Sequence, residues 1–185
     1  MNTATKNLEN DHGYILRLID VMEVITKKGA PDVRDLETIV GLIRNYADGI
    51  HHEKEEQLLF PLMAEKGFSM EQGPVAVMLI DHAEGRGYVK GVREGIELYK
   101  NGQQGAISVI FRNMQGYIDL LRSHIDKENN ILFRMADNVF SETDQQNLLK
   151  EFSRVEKGGS GENVRATYIA AIEELEGIYL PGKSR

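Results

Sequence analysis

Two stretches of this sequence pair a histidine with a glutamate at the same spacing and in the same surroundings. His51-His-Glu-Lys-Glu55-Glu-Gln-Leu-Leu-Phe60 and His124-Ile-Asp-Lys-Glu128-Asn-Asn-Ile-Leu-Phe133 both read H-x-x-K-E-x-[QN]-[LI]-L-F. Residues four apart share one face of a helix, so each stretch offers an imidazole and a carboxylate together. A second matched pair, Asp11-His12 and Asp81-His82, lies elsewhere in the chain. Neutral imidazole mixed with carboxylate suits iron, manganese or zinc. Four imidazoles and two carboxylates overfill a single tetrahedral zinc site. Shared between two metals with Glu55 and Glu128 bridging, they give each metal two nitrogens and two oxygens. A solvent-derived oxo or hydroxo bridge adds one more ligand and leaves an octahedral position open for dioxygen, nitric oxide or peroxide.

Positioning such a set requires helices. Apolar residues recur at helical spacing in four long segments, about 5–28, 33–66, 75–100 and 105–137. Gly29-Ala-Pro-Asp32 separates the first two, and Asp32 is placed to cap the second. Pro61 falls inside the second segment and predicts a bend or an early break. The third segment carries Gly85, Gly87, Gly91 and Gly95, which weaken a helix but let a neighbour approach closely. Short connections make the segments antiparallel, an all-α up-and-down four-helix bundle over 1–140. Residues 141–185 read as a C-terminal extension of one or two helices on or beside the bundle. Ser141-Glu-Thr-Asp144 is its capping box, Gly158-Gly-Ser-Gly161 a flexible joint, and Val164 to Tyr179 its last helix. At about 1.5 Å per residue, His51 and His124 lie deep in the second and fourth helices, level with His12 and His82 early in the first and third.

The fifth histidine, His52, also has a glutamate four residues on, Glu56. That register breaks the internal repeat and turns the face by about 100°. His52 is therefore read as a residue of the helix flank, near the outer contacts of the ligands. Glu53 and Glu84 read as solvated charges, and Tyr46, Tyr88 and Tyr117 as core.

Composition narrows the function classes. The absence of cysteine excludes disulfides, thiolate metal sites, iron–sulfur clusters and thiol catalysis. A formal net charge of −7 leaves no basic surplus for neutralising phosphates, so nucleic acid is not expected as a partner. No stretch approaches the roughly 20 apolar residues of a membrane span. The start, MNTATKNLENDHGYI, lacks the basic and apolar regions of a signal peptide, so the expected location is cytoplasmic.

The order H…H-x-x-x-E…H…H-x-x-x-E, with KEE-x-LFP after the first pair, resembles the hemerythrin-like (HHE) cation-binding family, bacterial branch, over roughly residues 6–140. The resemblance implies a di-iron site with His12, His51, Glu55, His82, His124 and Glu128 as ligands, in a monomer or homodimer. The invertebrate oxygen carriers of the family have a further histidine one turn from the third-helix ligand, where Met78 and Arg86 stand here. They also place the second carboxylate, an aspartate, five residues after its histidine rather than four. Reversible oxygen carriage is accordingly not implied. Binding or sensing of a small diatomic or peroxide ligand is the expected role, and no general acid or base beyond the ligands marks the chain as an enzyme. The alternative is a di-iron enzyme of oxidative or nitrosative stress defence, decomposing peroxide or repairing iron centres. The family's repair proteins carry an additional cysteine-containing domain that this sequence does not include.

Overall fold

The computed structural model describes residues 3–29, 32–157 and 164–182. The predicted glycine-serine joint at 158–161 lies outside the described residues. Those residues form six helical rods and no strand. The first rod is α1 (Ala4–Lys28); Thr3 caps it by accepting from the Lys6 N–H. It ends at Gly29, whose φ of 77° is the left-handed conformation that glycine adopts without strain. Asp32 caps α2 (Val33–Leu42) through the Arg34 N–H, as its position predicts.

Beyond α2 the helix does not stop. Two π-helical segments, Ile43–His52 and Glu55–Leu59, carry it into α3 (Phe60–Glu65). Pro61 therefore does not end the second rod. It sits at the first turn of α3, where a missing N–H costs little, directly after the hydrogen-bond register has shifted. The third rod is α4 (Gly73–Lys100). The fourth is α5 (Ala106–Lys127), continued through a π segment, Glu128–Leu132, into α6 (Phe133–Val139). Single π turns are rare and concentrate at functional sites. Here they fall on the two H-x-x-x-E stretches.

The glycines of α4 do bring a neighbour close. A Cβ at Gly95 would meet Ile110 Cγ1 at 2.8 Å and the Ile110 backbone nitrogen at 3.2 Å. One at Gly91 would overlap the Asn113 side chain, and one at Gly116 on α5 would overlap Tyr88. Gly87 faces open space and has no such role.

Two C-terminal helices pack onto this bundle. α7 (Glu142–Lys157) begins with the predicted capping box: Ser141 Oγ accepts from the Asp144 N–H at 3.1 Å, and Asp144 Oδ2 accepts from the Ser141 N–H at 2.9 Å. α8 (Val164–Tyr179) lies along α1, held by Arg17 to Glu176, Tyr179 to Asp35 and Arg165 to Asp11. Among the described residues no helix is long and apolar enough to cross a membrane.

The apolar interior is divided in two along the bundle. One core runs from Ile15 and Ile25 through Tyr46, Val92 and Met114 to Ile172 of α8. The other gathers Leu8, Phe60, Met63, Met78, Phe133 and Phe152 of α7. Where the two cores meet, the four long rods contribute a layer of buried polar side chains that includes all five histidines.

Candidate metal centre

His12, His51, His82 and His124 are each no more than 2% exposed, and Glu55 and Glu128 are fully buried. The six residues singled out in the sequence thus meet in one layer, one histidine from each long rod. His12 and His51 bring their Nε2 atoms within 3.0 Å of each other, and His82 and His124 within 3.2 Å. Two imidazoles bound side by side to one metal, each about 2.1 Å away, hold their nitrogens about 3 Å apart. Each pair therefore has the spacing of ligands to a shared ion.

The carboxylates link the pairs. Glu128 Oε2 lies 3.1 Å from His12 Nε2 and 3.2 Å from His124 Nε2. Glu55 Oε2 lies 3.6 Å from His51 Nε2 and 3.4 Å from His82 Nε2. None of the four carboxylate oxygens has a hydrogen-bond partner. Buried carboxylates without partners are costly unless a cation compensates them. Two clusters, one of His12, His51, Glu55 and Glu128 and one of His52, Glu55, His82 and His124, have ligand atoms all within 4.8 Å of one another. They share Glu55. The donor set fits two metal ions.

The opposite nitrogen of each imidazole faces an acceptor. Nδ1 of His12 donates to Asn129 Oδ1 at 2.8 Å, that of His82 to Glu56 Oε1 at 2.7 Å, and that of His124 to Asp81 Oδ2 at 3.3 Å. His51 Nδ1 faces Asp11 Oδ2 at 3.7 Å, too far for a hydrogen bond but close enough for electrostatic orientation. Such partners fix the tautomer, leaving each Nε2 lone pair free to ligate a metal within the layer.

These outer partners repeat between the halves of the chain. Asp11 and Asp81 each precede a histidine and face the histidine of an H-x-x-x-E stretch. Glu56 and Asn129 each follow a glutamate and accept a hydrogen bond from the Nδ1–H of the remaining histidine. Lys54 and Lys127, each preceding a glutamate, reach Asp11 at 2.8 Å and Asp81 at 2.5 Å. The matching Asp-His and Lys-Glu pairs carried this signal in the sequence, but the pairing itself joins residues 26 to 117 positions apart.

The electrostatics are those of a site built for cations. Burial works against charge on Glu128, yet His124 and His12 outweigh it and hold the carboxyl well below its usual range. Burial likewise opposes protonation of His82, but Glu55 and Glu56 outweigh it and push the group up to about 9; His12 is raised in the same way by Glu128. The upward shifts favour protonated imidazoles, so metal binding at these two histidines competes with protons.

The hemerythrin HHE cation-binding domain matches residues 3–136. The chain belongs to the hemerythrin HHE family. The Mycobacterium tuberculosis protein Rv1995 and the Mycobacterium bovis protein Mb2018 are each 24% identical to it over 184 residues, 96% of this chain and 71% of theirs. The iron-sulfur cluster repair protein YtfE of Salmonella schwarzengrund is 28% identical over 102 residues, covering 51% of this chain and 46% of that protein. No solved structure matches the chain significantly.

His52 corrects one expectation about this hemerythrin-type centre. The sequence places it on the helix flank, whereas it is only 5% exposed and its ring stacks on His82 at 3.8 Å and 12°. The π segment ending at His52 explains the difference, because its extra residue per turn brings positions 51 and 52 closer in angle than an α-helix does. Burial, reinforced by the charge of His82, pushes His52 well below its usual range, although its Nδ1 lies 3.3 Å from Asp48. His52 thus stands beside Glu55, His82 and His124 in the second cluster, a buried imidazole that walls the centre. Glu53 and Glu84 are exposed, as expected.

Glu56 orients His82 as an anion, whereas Asn129 orients His12 as a neutral amide. Glu56→Gln is expected to lower metal affinity by roughly 10- to 100-fold, the usual loss when such a partner is changed. Competition with a calibrated chelator measures it, and unchanged affinity would remove Glu56 from the site.

Proposed function

We propose that this protein holds two iron ions through His12, His51, Glu55, His82, His124 and Glu128, and that it binds or senses dioxygen, nitric oxide or peroxide there. The observation that carries the reading is the pair of buried, unpartnered carboxylates straddling two histidine pairs. Iron in such a site supplies open coordination positions and a redox couple for small ligands.

The chain's own residues prepare that chemistry. The histidines are oriented from outside by Asp11, Glu56, Asp81 and Asn129. Phe133 stacks on His12 at 5.5 Å and Phe60 packs near His82 at 6.0 Å, keeping bulk water from one end of the layer. Tyr46, Ile50 and Ile125 close the other.

A second reading is supported by the partial similarity to the iron-sulfur cluster repair protein YtfE. It makes the protein an enzyme of stress defence that decomposes peroxide or repairs iron centres. Stopped-flow mixing separates the two. Stable optical changes with nitric oxide or dioxygen, reversed on removing the gas, are the result expected for sensing. Rapid peroxide consumption over many turnovers would replace it with the enzymatic reading, and protein purified without iron would sink both.

A further inference from the structure

Beside the metal layer, between α4, α5 and the π segment Ile43–His52, lies a cavity of about 260 Å³. Drug-sized pockets begin near 300 Å³, so this one suits a compact molecule. Its inner walls are apolar, formed by Ile43, Gly85 and Val89, and its floor includes His52 and Tyr117. Its exposed rim carries Arg44, Lys90 and Arg93.

Three features distinguish it from a packing defect. First, the rim is basic on a chain whose net charge is −7. Asp48 is the lining acid, and it is already taken by Arg86 at 2.7 Å and by His52 at 3.3 Å. Lys90 has only a distant partner, Glu94 at 3.8 Å, and neither Arg44 nor Arg93 has a carboxylate within 4.0 Å among the described residues. Second, the Tyr117 hydroxyl is buried with no hydrogen-bond partner. Burial, then the charge of Asp48, pushes its pKa up, so it stays a donor. An orphaned buried hydroxyl is uncommon and costly. Third, the Gly85 position keeps the floor open: a Cβ there would touch the Tyr117 ring at 3.5 Å and occupy part of the space.

We propose that this cavity binds a compact organic acid, its carboxylate held at the rim by Arg44 and Arg93, its apolar body against Ile43, Gly85 and Val89, and an oxygen at its far end accepting from Tyr117. An arginine forks onto a carboxylate with directed, charge-assisted bonds. The apolar walls reject inorganic anions, which gain nothing from them. Because His52 belongs to both the cavity floor and the metal layer, the bound acid sits against the wall of the centre. The site does not depend on which metal, if any, that centre holds.

The probes are 4-hydroxybenzoate and benzoate, titrated calorimetrically into the full chain as purified. The hydroxy acid is expected to bind more tightly. Arg44→Gln and Arg93→Gln should each weaken both acids by roughly tenfold, the size of a lost charged hydrogen bond. Tyr117→Phe should weaken 4-hydroxybenzoate by roughly five- to tenfold and leave benzoate unchanged. The same substitution should raise Tm of the ligand-free protein, since it removes an unsatisfied hydroxyl. A purely structural tyrosine would lower Tm and treat both acids alike, which overturns the role of the hydroxyl. Failure of wild type to bind either acid at millimolar concentration overturns the site. So does binding that perturbs the metal's optical spectrum while ignoring Arg44 and Arg93, because the carboxylate would then sit on the metals.

Discussion

Glu55→Ala and Glu128→Ala are each expected to abolish binding of two metal equivalents. Each glutamate faces one histidine of both pairs, so its loss removes an oxygen from both ions and the link between them. The cost should exceed the roughly 10- to 100-fold that follows loss of an outer partner such as Glu56. It also leaves two cations side by side with half the compensating charge, and a second ion entering such a site meets the first almost unscreened. Glu53→Ala, on the same turn but exposed, should retain both equivalents and the wild-type spectrum. Metal analysis and optical spectra of aerobically purified protein test the set. If both ligand variants kept two full equivalents of iron with an unchanged spectrum, the bridging assignment would be wrong.

The second large effect concerns stability. Lys54 and Asp11 are both fully buried and lie 2.8 Å apart. Lys54 also reaches Glu156 of α7 at 2.6 Å and Asn7 at 2.9 Å, and Asp11 accepts from Tyr46 at 3.0 Å and Arg165 of α8 at 2.8 Å. One ion network therefore joins α1, the second rod, α7 and α8 beside His51. Asp11→Ala leaves Lys54 only Glu156 and Asn7 and takes the acceptor from the Tyr46 hydroxyl and Arg165, at a cost of about 3–5 kcal/mol. For a chain of 185 residues that lowers Tm by roughly 6–20 °C. The matching variant Asp81→Ala should cost about 1 kcal/mol or less, because Lys127 keeps 34% of its side chain in water where Lys54 keeps none. Thermal unfolding of both variants decides the matter, and equal losses would show that burial is not what sets the difference. Acid should act on the same network. Burial would raise the Asp11 pKa, but His51, Lys54 and Arg165 outweigh it and hold the group well below its ordinary 3.8. The depressed value makes its contribution present above the unfolded pKa and lost as pH falls through the folded one.

The fold and the six candidate ligands were legible in the residues because both rest on local periodicity. Histidine and glutamate four apart share a helix face whatever surrounds them, and the duplicated stretch singled out His51 with Glu55, although the structure brings His52 into the centre as well. Capping by Asp32 and by Ser141 with Asp144 was equally local. Pro61 was misjudged, at least as a stop, because the π segment before it is stabilised by the packing of the whole bundle and leaves no local mark. His52 was misplaced for the same reason: an angle of 100° between neighbours holds for an α turn and fails where the turn widens.

The same Asp-His and Lys-Glu dipeptides that prompted the search for a repeat did not reveal their partners. Asp11 meets Lys54 across 43 positions and Arg165 across 154, and such pairs exist only once the rods are side by side. The sequence alone establishes the kinds of group and their faces, since helix geometry converts spacing into direction. Tertiary structure decides which acceptor orients each imidazole, which of two equivalent ion pairs is dry, and that a cavity with an unsatisfied tyrosine lies against the metal layer. Those properties depend on distances between different helices and on the exclusion of water, and neither is a function of residue order along one helix.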